Sequence, residues 1–189
     1  MSEPAVRARH LKQTLTAALR TPAAGAVHRF VPAAVLEEIE AAHGSDWLPI
    51  GHDVALVRVI HGALGPASHD SFARGVVLEA LDGPLLGPMA RIVLAAFGRD
   101  AAAWARLVPR AWSLVFRNGG AWEVERGAGE VRLRVRGLPA ACVEEPVWLA
   151  SAASSMAAVL DATGVSGSST LEGFDPTARA ATYALRWAR

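Results

Sequence analysis

The apolar side chains of this chain change rhythm near residue 112, and that change constrains the fold more than any other feature. Up to about residue 110 they recur every three to four positions, as on helices. Leu11, Leu15, Ala18 and Leu19 form one stripe, stopped by Thr21-Pro22. Val35, Leu36 and Ile39 form a second, between Pro32 and Gly44. Ile50, Val54, Val57, His61 and Leu64 form a third, stopped by Gly65-Pro66. Phe72, Val76 and Ala80 follow a Ser68 cap, and Pro88 opens a helix expected to turn Ile92, Val93 and Phe97 inward. Asp100 caps a short helix with Trp104, Leu107 and Val108. From Trp112 the period falls to two. Trp112, Leu114 and Phe116 alternate, then Trp122 and Val124, then Val131, Leu133 and Val135. A helix over 147–163 follows, then strands near 165–174 and over 179–187. The expectation is an α+β fold in a single domain, 1–189. N-terminal helices (1–110) pack with a C-terminal antiparallel sheet (111–189) in hairpin–helix–hairpin order.

Parity sets the expected register. A three-residue loop, Asn118-Gly119-Gly120, would pair Phe116 with Trp122 and keep the apolar face whole. A loop over 126–129 would pair Val124 with Val131 and set Glu123 opposite Arg132. Glu123 and Glu125 then share a face with Arg132, Arg134 and Arg136. Mixed signs on one face read as a solvated sheet surface, with a partner-binding face as the alternative. Nucleic acid is the poorest reading, because the aromatics lie on the opposite face rather than between the arginines.

A formal net charge of +1 gives no general attraction to nucleic acid or to an anionic membrane. One cysteine, Cys142, excludes an internal disulfide and any CxxC motif, so a reducing cytoplasm is the expected compartment. The start, MSEPAVRARHLKQ, carries charges where a signal peptide needs an apolar core. No apolar run approaches the roughly 20 residues of a membrane span, and no membrane insertion is expected.

Recognisable reactive chemistry is sparse. All six histidines lie at or before position 69. His52 and His61 are nine positions apart, about 180° around one helix, so they cannot share an ion. The His-Asp pairs at 52–53 and 69–70 sit near helix starts, where the dipole favours aspartate. His61 falls on an apolar stripe, either as a hydrogen-bonded core residue or as a pocket wall. No GxSxG elbow, HExxH or GKS/T phosphate loop occurs, and no metal or cofactor is expected. Cys142 has no histidine after it to act as a base. Six tryptophans remain, and several should converge where the helices meet the sheet.

The stretch PRAWSLVFRNGGAWEVERGAGEVRLRVRGLP, the later VLDATGV, SDWLPI at 45–50 and the terminal Arg186-Trp187 resemble an uncharacterised, mainly myxobacterial domain family of about this length. That family in turn resembles the fold of heme-based nitric-oxide sensors, 4-vinyl-reductase-type ligand-binding domains and Golgi-transport subunits. The resemblance implies helices on one antiparallel sheet and no hydrolytic centre. Its heme members hold iron through a histidine on a helix shortly before the sheet, and grip the propionates with Tyr-x-Ser-x-Arg on the sheet. Here residues 70–189 contain no histidine, and the third strand reads RLRVRGLPAAC. Heme is therefore disfavoured.

These readings converge on a non-catalytic regulatory or sensory domain that binds a small apolar molecule or a protein partner. The candidate pocket residues are His61, Trp104, Arg110, Trp112 and Trp148 at the helix–sheet junction. The ligand reading calls for a cavity there of about 300–1,000 Å³. The alternative is a homodimeric interaction scaffold, marked by an exposed apolar patch on the strand near 165–174.

Overall fold

The computed structural model describes residues 3–188. β1 (Ala5–Arg7) leads into α1 (Ala8–Ala18), α2 (Ala24–Phe30) and α3 (Ala33–Ala41). β2 (Trp47–Pro49) precedes α4 (Ile50–Leu64), α5 (Pro66–Asp82) and α6 (Gly87–Phe97). α7 (Ala101–Ala105) and α8 (Val108–Val115) lead to β3 (Phe116–Arg117), then β4 (Ala121–Gly127) and β5 (Glu130–Arg136). α9 (Ala140–Val143) and α10 (Pro146–Thr163) precede β6 (Gly167–Asp175) and β7 (Ala180–Trp187). The architecture is α+β, with helices packed on antiparallel strands. A four-stranded sheet runs β4-β5-β7-β6, and a small sheet runs β2-β1-β3.

α10 joins the two halves. It packs on β6 and β7 from one side and on α4, α5 and α7 from the other. A helix covered from both sides must be apolar all round. Its buried residues include Leu149, Ala153, Ala157 and Leu160 as well as Trp148, Ala152 and Met156, and many are small enough for close approach. Pro146 sits in the first turn and Gly164 ends the helix in the left-handed region at φ 70°.

The sheet alternates as its sequence requires. Val131, Leu133 and Val135 are buried, while Arg132, Arg134 and Arg136 face solvent. Leu133 lies between Val124 on β4 and Tyr183 on β7. The register differs by two residues from the expected one. Gly127 pairs with Glu130, so the turn is Ala128-Gly129, and Glu125, not Glu123, lies opposite Arg132. A shift of two keeps every side chain on its face. The arginine row is partly neutralised. Arg132 pairs with Glu130 and Glu172, Arg136 with Glu123 at 3.4 Å, and Arg186 with Glu130 and Glu172.

Two expectations need correction. Trp112 and Leu114 belong to helix α8, and Phe116 pairs with Val6 in the small sheet rather than with Trp122. Three alternating residues fit either period, and Pro109, acceptable in a first turn, tips the segment to helix. The Asn118-Gly119-Gly120 stretch is therefore a crossing between sheets. A Cβ on Gly119 would lie 2.7 Å from Trp112 Nε1, and Gly120 has φ 104°, so both positions require glycine. In α6 the inward residues are Leu86 at its cap, Ala90 and Val93, whereas Ile92 and Phe97 are 69 % and 54 % exposed. The nearly unbroken apolar run RIVLAAF carries too little contrast to choose a face.

The orientation of β5 has a direct consequence. Leu133→Ala should cost about 2–5 kcal/mol in urea unfolding, and Arg134→Ala should stay within about 0.5 kcal/mol. Equal costs would contradict the sheet described.

Candidate functional site

The tryptophan seam forms because α8, β3, β4 and α10 each bring an aromatic to one place. Trp112 packs against Phe116 with ring centroids 4.4 Å apart and planes tilted by 40°, and forms edge-to-face pairs with Trp122 and Trp148 at 5.1 and 5.6 Å. Phe116 meets Trp148 at 5.9 Å, and Trp122 lies 6.2 Å from Tyr183. Edge-to-face rings at these distances attract beyond simple burial. The Trp112 indole donates to the Gly119 carbonyl at 3.1 Å. Trp47 stands apart, under the guanidinium of Arg7 at 3.7 Å.

Beside this seam lies a cavity of about 150 Å³. α4 contributes Val57 and Ile60, α5 Phe72 and Val76, and α6 Met89 and Val93. Trp104, Leu107 and Trp112 close the α7–α8 side, and Trp148, Ala152 and Met156 of α10 form the floor. The cavity thus lies mostly among helices, with α10 between it and the four-stranded sheet, whereas the expected place was the helix–sheet junction. It is also smaller than the 300–1,000 Å³ of drug-sized pockets. An apolar space of this size suits a benzene-sized guest.

Of the five residues singled out in the sequence, Trp104, Trp112 and Trp148 line this cavity. His61 and Arg110 do not. His61 is half-buried, with its ring 5.2 Å from that of His69, which does line the cavity. Arg110 is exposed on α8.

Sequence reasoning missed the polar end of the cavity. Asp53, in the first turn of α4, is only 3 % exposed. Its Oδ2 accepts a hydrogen bond from the Trp148 indole at 2.7 Å. Its Oδ1 lies 3.3 Å from His10 Nε2 without hydrogen-bond alignment. Thr14, one turn along α1 from His10, is buried and its hydroxyl has no hydrogen-bond partner among the described residues. The one available signal was the spacing of His10 and Thr14 at i, i+4, beside Leu11 and Leu15.

His69 is buried, and burial together with the nearby His61 pulls its pKa down to about 4, against a smaller opposing effect of Asp70. It is neutral at physiological pH. Burial pushes the Cys142 thiol and the Tyr183 hydroxyl well above their usual ranges, so neither supplies a nucleophile. His52 is 2.7 Å from Glu38, away from the cavity. Among the described residues no three His, Cys, Asp or Glu side chains are grouped to hold a metal ion. No single helix among them is long and apolar enough to cross a membrane.

Against solved structures the chain is similar to H-NOX proteins. It matches an Fe(II) unliganded H-NOX protein from K. algicida with TM-score 0.65 and 8 % identity, over 97 % of both chains. A point mutant of that same protein gives TM-score 0.66 and 9 % identity over 97 % of each chain. A Cs H-NOX mutant carrying 4-cyano-L-phenylalanine gives 0.61 and 7 %, again over 97 % of both. The fold is therefore H-NOX-like. No family model and no curated protein matches the sequence. These comparisons give no support to the resemblance to a mainly myxobacterial family.

Another H-NOX structure of similar fold concerns heme distortion, so heme is the group this fold raises. The residues present do not fit it. His10 and His69 do reach the cavity, but among the described residues no arginine or lysine lines it to meet two propionates. The arginines of β5 point to solvent, on the face opposite Leu133. A heme is also no smaller than ligands that need about 300–1,000 Å³, against about 150 Å³ here.

The lowered His69 pKa makes a prediction with a definite sign. The unfolded chain takes up this proton near pH 6.5, and the folded chain only near 4. The contribution of the neutral ring to stability is complete above about pH 6.5 and is lost as pH falls toward 4. His69→Gln should flatten urea-unfolding stability across this window by about 2–3 kcal/mol. An unchanged pH profile would contradict the burial described.

Proposed function

We propose that this chain is a non-catalytic sensory or regulatory domain that takes up one small apolar molecule beside its tryptophan seam. The observation that carries the reading is the helix-walled cavity of about 150 Å³, apolar over most of its surface. Apolar cavities of that size stay dry and take guests such as benzene or xenon. Trp104, Trp112 and Trp148 contact the guest, while His61 supports the wall through His69. Arg110 stays outside. The H-NOX-like fold is compatible with such a role, with a smaller guest in place of heme. No catalytic residue is assigned, because the Asp53 carboxylate accepts from the Trp148 indole and the Thr14 hydroxyl is hydrogen-bonded to no base among the described residues.

A second reading, the homodimeric interaction scaffold, is favoured by Ile92, Leu94 and Phe97, all exposed on α6. Phe174, near the end of edge strand β6, is exposed as well. A mass that rises with concentration in light scattering, with no guest bound, is its mark.

Benzene at ten times its Kd should stabilise the protein by about 1.4 kcal/mol, raising Tm by about 3–6 °C in a chain of this size. Ala152→Leu fills the floor of the cavity and should abolish the shift while circular dichroism stays native. A shift retained in that variant, or absent from the unsubstituted protein, would refute the cavity as the site.

A further inference from the structure

We infer that the cavity selects a guest carrying one hydroxyl group, a small phenol-like or cyclic alcohol, through Asp53 and Thr14 at its polar end. The inference rests on the reading of the cavity as a ligand site, and it adds the chemistry of the ligand.

Two buried oxygens of residues that line the cavity have no hydrogen-bond partner among the described residues. Asp53 Oδ1 and Thr14 Oγ1 are both so placed, in residues 3 % and 5 % exposed that line the cavity. Leaving such atoms unmatched is costly, more so for a charged group. The rest of the Asp53 carboxylate is engaged, since Oδ2 accepts from the Trp148 indole at 2.7 Å. That bond fixes the carboxylate and leaves Oδ1 without a hydrogen bond among the described residues, with the His10 imidazole as its ion-pair neighbour. His10 Nε2 sits 3.3 Å from Oδ1 but out of line for a hydrogen bond. Thr14 lies one turn further along α1, on the same face as His10. Both atoms have almost no accessible surface, so a small shift of the wall side chains lets a guest meet an acceptor that cannot donate when ionised and a hydroxyl that can do both.

A guest hydroxyl complements this pair. Its proton is donated to Asp53 Oδ1, and its oxygen accepts from Thr14 Oγ1. Its ring fills the apolar space among Val93, Trp104 and Met156. A hydrocarbon of equal size fills the same space and leaves both oxygens unmatched. Matching both oxygens tips the balance toward the hydroxyl-bearing guest, while a hydrocarbon still gains the burial that the apolar walls offer.

The test compares phenol with toluene, which match in size, by calorimetric titration of the full chain. Phenol is expected to bind at least as tightly as toluene despite its stronger hydration. Thr14→Val, which keeps side-chain shape, should weaken phenol about tenfold and leave toluene within about twofold. Asp53→Asn, which replaces that acceptor, should do the same. The valine variant keeps the test usable if the asparagine variant fails to fold. Toluene binding tighter than phenol in the unsubstituted protein, or a phenol affinity that Thr14→Val leaves unchanged, would overturn the hydroxyl selection while leaving the cavity reading intact. Binding of neither molecule would overturn both.

Discussion

The hydrogen bond from the Trp148 indole to the buried Asp53 carboxylate, 2.7 Å long, is the interaction on which the arrangement depends. It links the first turn of α4 to the first turn of α10, residues 95 apart in sequence. A carboxylate withdrawn from water in a mostly apolar space is costly unless it is met by donors. Here the helix start, the indole and the nearby His10 reduce that cost. Removing the indole donor would leave a buried charge poorly matched, which is why a tryptophan on α10 and an aspartate on α4 act as one unit. Once they are joined, the orientation of α10 is set, and with it the surface on which both the sheet and the helices pack.

The seam and the cavity follow from that anchor. Trp148 is held by its nitrogen, so its ring edge meets Trp112 and Phe116 at fixed angles. Three large rings at the junction of helices from distant parts of the chain do not interdigitate as aliphatic side chains do. The space they leave is bounded by Met89, Val93 and Met156, among others. Natural interiors are otherwise close-packed, so an apolar space of about 150 Å³ is a departure that carries a cost. The same departure is what a ligand-binding domain needs. A likeness of fold to H-NOX proteins coexists with a cavity that no arginine or lysine lines among the described residues, because fold fixes where a cavity lies and side chains fix what it accepts.

Much of this was legible in the sequence. The helices ended by Thr21-Pro22 and Gly65-Pro66 lie where their breakers place them. The inward Val131, Leu133 and Val135 and outward Arg132, Arg134 and Arg136 followed from alternation alone, and the two-residue error in register left those faces unchanged. The three-residue β1 was too short to show any period, and without it Phe116 had no visible strand partner except Trp122. The buried stripe of α4 runs through Asp53, Leu56, Val57 and Ile60. A periodicity that assigns aspartate to water rotates that stripe toward Val54 and His61. His10, Thr14 and Asp53 were missed for the same reason: polar residues at buried positions carry no hydrophobic signal, and only their partners across the fold explain them.

The most direct measurement of the central claim is a crystal structure of the protein under xenon pressure. The account predicts a xenon atom in the space between Val93, Trp104 and Met156, with the surrounding side chains nearly unmoved. A structure in which that space has closed, or in which xenon settles only at other places, would contradict it.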